Sequence, residues 1–287
     1  MSDIKAMAAE KLESFTYNET TNEHLHRYAL ALEMVVGKQV LDIVSGEGYG
    51  ANLMANVAAQ VIGVDIDAVT VALANRKYKR NNLKFLTGEI DKIPCATQSF
   101  DVVVSFETIE HHDQHEGMMQ EIKRVLKPGG LLIISSPDKL YYNDNPQLKN
   151  SFHIKESYHA EFERLLKKYF KNSSFLQQRS FWGSIIVPQS EPIAEAEVYL
   201  GNHDEITHTS MEAKYIIALA SDDAVPLFKT SLFNGETVLR SQFDAFRELI
   251  AQKAKADVTH EIKNSKTYKI GDAIIRRLRL ITNLFNK

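Results

Sequence analysis

A run of β-branched and aliphatic residues stops abruptly on glycine in VLDIVSGEGYGAN, residues 40–52. Val40, Leu41, Ile43 and Val44 make a short apolar segment, the pattern of a strand buried in a parallel sheet. Gly46, Gly48 and Gly50 follow at every second position. Glycine lets the main chain turn sharply and leaves bare backbone for a ligand to approach. Residues 51–58 then read as the first turns of a helix. Strand, glycine turn and helix in that order make the nucleotide cradle of an open α/β sheet.

Three readings fit this stretch. Gly46, Gly48 and Ala51 satisfy the loose G-x-G-x-x-G/A pattern of dinucleotide-binding oxidoreductases, which alone is weak. Asp42, Gly46 and Gly48 satisfy the D-x-x-x-G-x-G of S-adenosylmethionine methyltransferases. The third reading is an ordinary glycine turn. Asp42 favours the second: a carboxylate at the strand end suits the ammonium of a methionine moiety and would repel a pyrophosphate.

The surrounding segments discriminate further. Residues 60–67, QVIGVDID, form a second strand ending in acid, and Asp65 lies nineteen positions after Gly46, near the usual distance for a carboxylate that holds ribose hydroxyls. Residues 83–88 and 100–106 supply a third and a fourth strand, and LKPGGLLII at 126–134 turns into a fifth. Helical segments at 51–58, 68–79 and 116–126 alternate with them, which implies a mainly parallel sheet with right-handed crossovers. Together VLDIVSGEGYG, VIGVDID, SFDVVVSFETIEHH and LKPGGLLII resemble the class I S-adenosylmethionine-dependent methyltransferases, over roughly residues 20–220. The resemblance implies a Rossmann-like seven-stranded sheet, mainly parallel with a C-terminal antiparallel hairpin, to which this chain adds a helical tail. The expected division is a flexible segment at 1–20, the methyltransferase domain at 21–233 with an acidic, irregular insertion at 188–212, and an amphipathic, basic tail at 234–287.

The same resemblance distributes roles along the sheet's carboxyl edge. Gly46, Gly48 and Gly50 line the cofactor turn, Asp65 holds the ribose with Ile66 beside it, and Glu89 faces the adenine amine with Ile90 as its apolar neighbour. Phe106 ends the fourth strand at the cofactor mouth. A helix opening at Thr21 covers the cofactor, and from it and the segment before it Arg27 and Tyr17 are expected to reach the methionine end. The segment after the fourth strand, FETIEHH, is chemically the most loaded. His111 is a candidate general base, since its ordinary pKa near ~6.5 lets it exchange a proton at neutral pH. His153, in SFHIKE, is a second candidate base or acceptor contact. Glu107, Glu110 and His111 also form E-x-x-E-H, which resembles a magnesium-holding motif of ubiquinone-type O-methyltransferases; magnesium prefers oxygen ligands, which sits uneasily with His111. Structural roles for Glu110 and both histidines stay open beside these.

Composition sets the outer limits. The 287 residues are 44% hydrophobic and 25% charged with a net charge of −3, values of a soluble globular chain with no basic field for nucleic acid. Cys95 is the only cysteine, which excludes an internal disulfide framework. No apolar run approaches the ~18 residues that span a bilayer, and the first residues lack a signal-peptide core. The expected location is cytoplasmic, extending to the inner face of the cytoplasmic membrane.

The remaining segments bear on the acceptor and partners. SPDKLYYNDN with SFHIKE resembles methyltransferases of bacterial surface-polysaccharide (O-antigen) pathways, and SKTYKIGDAIIRRLR resembles the ends of polysaccharide glycosyltransferases. The expected reaction is methyl transfer from S-adenosylmethionine, leaving S-adenosylhomocysteine, to a sugar or sugar phosphate of a surface glycan. Val238, Leu239, Phe243, Phe246, Leu249 and Ile250 mark one amphipathic helix, and a polar stretch separates it from a basic helix at 271–287. On that second helix Ile274, Leu278, Ile281 and Phe285 share a face suited to an anionic membrane surface, to the neighbouring helix or to a second subunit. The rival readings are a quinone-type O-methyltransferase, a nicotinamide oxidoreductase, and a non-catalytic cofactor-binding assembly subunit.

Overall fold

A computed structural model of the chain describes residues 19–142, 154, 155, 157–181, 183–190, 193, 198–201, 203, 206–209 and 212–285. In chain order these form α1 (Glu19–Met34), β1 (Gln39–Ile43), α2 (Tyr49–Met54), β2 (Gln60–Asp65), α3 (Ala68–Lys77), β3 (Leu83–Thr87), β4 (Phe100–Ser105), a 3-10 turn (Ile109–His111), α4 (His115–Val125), β5 (Leu126–Pro137), α5 (Lys139–Tyr142), α6 (His159–Tyr169), β6 (Asn172–Ser180), β7 (Ser184–Pro188), β8 (Val198–Gly201), β9 (Ile206–Thr209), β10 (Tyr215–Ser221), β11 (Ser231–Phe233), α7 (Glu236–Asn264) and α8 (Lys266–Phe285).

The main sheet has the order β11-β7-β6-β10-β5-β4-β1-β2-β3. β3, β2, β1, β4 and β5 run parallel, while β10, β6, β7 and β11 each pair antiparallel with a neighbour. Alternate side chains of each parallel strand feed two cores, because successive residues point to opposite faces. Val40, Val102, Val104 and Ile133 pack with Tyr28, Ala31, Met54 and Val71 from α1, α2 and α3. Leu41, Ile43, Val103 and Ile134 pack with Met118, Ile122, Phe162 and Leu166 from α4 and α6. Helices on both faces are what a buried parallel sheet requires.

Several elements differ from the sequence expectation. Residues 172–188 form a hairpin of β6 and β7. β10 lies inside the sheet between β5 and β6, so β7 and β11 form the edge and extend the expected seven strands to nine. The insertion at 188–212 carries a two-stranded hairpin, β8 with β9, among its described residues. The first tail helix does not stop near Ile250: α7 continues to Asn264, and only Ser265 separates it from α8. Alanines and lysines, strong helix formers, carry α7 through the segment whose polarity read as a break.

Two compact units are present, residues 1–236 and 237–287. The second consists of α7 and α8. Phe243, Phe246, Leu249, Ile250, Val258 and Ile262 on α7 are all more than half exposed.

Candidate functional site

The parallel strands all end on one edge, and the chain's charged side chains collect there. Along that edge, from β3 to β6, lie Glu89, Asp65, the Ser45–Gly48 turn, Glu107, Ser135, the Lys214–Tyr215 pair and Ser180. This is the edge where open parallel sheets bind ligands.

A cleft of about 330 Å³ opens over β1, β2 and β3, lined by Val44, Asp65, Ile66, Asp67, Glu89, Ile90, Thr108, His111 and His112 among others. Asp65 is buried, and its carboxylate accepts the Gly46 N–H at 2.9 Å and the Asp67 N–H at 3.0 Å. These two backbone bonds fix the orientation of the carboxylate in the cleft wall. Asp67 in turn caps α3 through the Val69 N–H. Ile66 is exposed at the mouth, Glu89 is exposed, and Ile90 is half-buried.

The glycines of the turn divide their work. Gly46 has φ 54° and Gly48 φ 84°, left-handed conformations that other residues adopt at a cost. A Cβ on Gly46 would meet nothing within 4 Å, so the backbone there faces open space. A Cβ on Gly48 would lie 2.4 Å from the Phe85 ring, and one on Gly50 1.9 Å from Tyr28 Cζ. Gly50 thus lets α1 seat on α2.

Asp42 stands apart from the cleft. It is buried and absent from the cleft lining, held by the Tyr28 hydroxyl and the Ala51 backbone. Burial, with the charge of Asp65 adding to it, pushes its pKa up to about 8. Phe106 is buried as well, its ring edge-on to Tyr28 at 5.1 Å.

Beside the cleft, across β4, lies a buried set of charges. Arg27 on α1 is fully buried; its Nη1 donates to Glu107 Oε1 at 2.7 Å and to Ser135 Oγ at 3.3 Å. The guanidinium stacks 4.6 Å from the Tyr215 ring. Among the described residues its Nε and Nη2 have no hydrogen-bond partner. A buried donor without a partner is costly, so these two groups mark where a bound anion would sit. Glu23, one helical turn earlier, accepts from Ser180 Oγ at 2.5 Å, Lys214 Nζ at 2.7 Å and Tyr215 OH at 2.9 Å. Neither set was legible in sequence, because the partners stand 80 to 192 positions apart.

The histidines separate. His111 lines the cleft, with Nε2 3.9 Å from Glu110 Oε1. Its neighbour His112, which the sequence did not single out, is half-buried edge-on to His115, and partial burial holds its pKa down to about 4. Tyr17 and His153 lie outside the described residues. Ile154 and Lys155 do fall within them, and both donate their N–H to the Glu110 carbonyl, which brings these two residues to the 3-10 turn after β4. Glu107, Glu110 and His111 do not form a common ligand cluster: Glu107 turns to Arg27 and Glu110 is buried, and no group of three metal-ligating side chains occurs among the described residues.

Residues 41–134 match the family described as "Methyltransferase domain". A probable S-adenosylmethionine-dependent methyltransferase of Mycolicibacterium smegmatis is 40% identical over 134 residues, 46% of this chain and 51% of that one. A phthiotriol/phenolphthiotriol dimycocerosates methyltransferase of Mycobacterium ulcerans is 31% identical over 121 residues, 40% and 44% of the two chains. The chain thus spans about half the length of the curated relatives it matches. Among solved structures, the YcgJ protein of Bacillus subtilis superposes with a TM-score of 0.53 at 19% identity, covering 70% of this chain and 100% of that one. An S-adenosylmethionine-dependent methyltransferase of Thermotoga maritima gives 0.50 at 18% identity, covering 71% and 90%. The fold is the Rossmann-like fold of these solved structures, and residues 41–134 match the methyltransferase domain family.

Proposed function

We propose that this chain is an S-adenosylmethionine-dependent methyltransferase acting on a sugar hydroxyl or terminal phosphate of a bacterial surface glycan or its precursor. The observation that carries the first half is Asp65, a buried carboxylate aimed into an open cleft beside a bare glycine turn. The unpartnered Nε and Nη2 of Arg27 fit the same molecule, since they stand one strand further along the edge, where a methionine carboxylate would lie.

In this reading Asp65 binds the ribose hydroxyls, Glu89 the adenine amine, and Ile66 and Ile90 flank the base. Backbone at Gly46 and Gly48 approaches the ligand directly. Arg27 takes the methionine carboxylate, with Tyr17 joining it. His111 lies in the wall of the cleft, against the nucleoside side, while His153 remains a candidate on the acceptor side. When bound, S-adenosylmethionine supplies an electrophilic methyl group. The chain supplies alignment, and positioning can account for about 7–11 kcal/mol of a barrier.

Beyond β5 the edge carries Ser180, Lys214 and Lys139, polar and cationic side chains suited to a hydroxylated or phosphorylated acceptor. The test is methyl-labelled S-adenosylmethionine incubated with nucleotide sugars, sugar phosphates and a glycan-lipid extract. Label is expected in carbohydrate released by mild acid. The name of the Mycobacterium ulcerans relative favours a second reading, a lipid acceptor; label that stays with the organic phase after acid would establish it instead. Magnesium would be needed only if the glutamates rearranged, so turnover should persist in chelator.

The domain at 21–233 holds the site, and the tail serves attachment. No helix among the described residues is long and apolar enough to cross a membrane. Residues 271–287 carry Arg276, Arg277, Arg279 and Lys287 in sequence, and each cation near an anionic bilayer contributes about 1 kcal/mol. The chain should float with anionic vesicles at low salt and lose that binding when ended at Ser265. If it sediments as an oligomer and ignores vesicles, the helices pair with another copy.

A further inference from the structure

We propose that Glu107 is the carboxylate that meets the acceptor hydroxyl at the point of methyl transfer and takes its proton. This rests on the reading that the Asp65 cleft holds S-adenosylmethionine.

The sheet order supplies an axis. With adenine over β3 and ribose at β2, the methionine arm runs over the β1 turn towards β4, and the next side chain on the edge is Glu107. Its conformation is unusual: φ is 49°, a left-handed geometry that costs a non-glycine residue energy and collects at functional positions. Three bonds hold it there. The Glu107 N–H donates to Ser135 Oγ at 3.1 Å, the Ser135 hydroxyl donates to Oε1 at 2.7 Å, and Arg27 Nη1 donates to the same Oε1 at 2.7 Å. One of these fixes the backbone, and the other two both engage Oε1. Among the described residues Oε2 makes no hydrogen bond, and the side chain is 16% exposed. One oxygen is anchored by a buried cation and a hydroxyl, and the other is left open at the edge. That asymmetry suits a group that must receive a proton in one direction.

The step balances without a metal or further reactant. The acceptor oxygen bonds the methyl carbon as the carbon–sulfur bond breaks, with its electron pair kept on sulfur. The hydroxyl proton passes to Glu107 Oε2 and then to water. A phosphate acceptor would bring a second negative charge against Oε2, so the geometry selects the hydroxyl from the two acceptor groups above. It also assigns to Glu107 the duty that sequence reasoning gave to His111, which lies on the cleft wall instead.

Two ligands test this without knowledge of the acceptor. Sinefungin carries an amine where S-adenosylmethionine carries its methyl, and S-adenosylhomocysteine carries nothing there. Calorimetry on the full chain should show sinefungin bound more tightly than S-adenosylhomocysteine. Glu107→Gln should erase that preference, a loss of roughly 10- to 100-fold for a charge-assisted hydrogen bond, while S-adenosylhomocysteine affinity changes by less than about threefold. Glu107→Asp, which keeps the charge but withdraws the oxygen, should fall between. Equal weakening of both ligands would mean that Glu107 acts only through Arg27, and no change in either would place it away from the methyl; both overturn the proposal. If Glu107→Gln fails to fold, the Asp variant decides, and an unchanged ratio there is equally fatal. A wild-type chain that binds neither ligand sinks the cofactor reading itself.

Discussion

Asp42 and Asp65 end neighbouring strands, and their surroundings give them opposite characters. Asp65 is braced by two backbone N–H groups and faces the cleft, so Asp65→Ala should weaken S-adenosylhomocysteine binding by roughly 1.5–3 kcal/mol in calorimetry on the folded variant. Unchanged affinity would remove Asp65 from the site. Asp42 is sealed in, and burial raises its pKa from 3.8 to about 8. The native state therefore keeps a proton that the unfolded chain releases, and stability is lost as pH rises from about 4 to about 8. His26 and His112 have the opposite sign: burial lowers both from 6.5 to about 4, so their share of stability is lost as pH falls through that interval. Melting curves should show Asp42→Asn abolishing a decline in stability that runs from about pH 4 to about pH 8, while the histidines' opposite loss between 6.5 and about 4 remains. At this scale Asp65 was legible because a glycine turn and a strand end set its spacing. Arg27 was legible as a candidate, but its partners were not: Glu107 and Ser135 reach it only after the sheet assembles. The left-handed backbone at Glu107 has no signature in sequence at all.

Among elements, the contact of α1 with α2 is the tightest tolerance near the site. Tyr28 presses on Gly50, packs edge-on against both Tyr49 and Phe106, and hydrogen-bonds Asp42. Gly50→Ala should destabilise by about 1–3 kcal/mol, as overpacked cores do, and combining it with Tyr28→Leu should cost less than the sum of the two. Strict additivity in denaturant titrations would show that the ring and the glycine do not meet. Glu23 is more consequential: Glu23→Ala would leave Lys214 largely buried without its counter-charge, a change expected to cost about 3–5 kcal/mol. The parallel half of the sheet could be read from apolar runs and glycine turns, and its strand boundaries lie within three residues of expectation. The antiparallel half could not. The bend at Phe181–Gly183 that makes β6 and β7 two strands carries only a single glycine, and the place of β10 between β5 and β6 is decided by pairing, which a linear pattern does not encode.

For the whole molecule, the division after Glu236 makes a direct statement about autonomy. A chain ended there should melt cooperatively and bind S-adenosylhomocysteine like the full-length protein. If it unfolds or loses the ligand, the tail is needed by the site and the two units are not independent. The sheet order has a further consequence, for the time course of synthesis. β5 leaves the ribosome with one flank unpaired, and that flank is covered only by β10. The acid on the first helix waits equally long: the serine, lysine and tyrosine that neutralise Glu23 come from β6 and from the start of β10. The N-terminal half must therefore remain a nascent, open-edged intermediate until residue 221 has emerged, and the parallel strands close into a finished sheet only when the last of its long strands arrives.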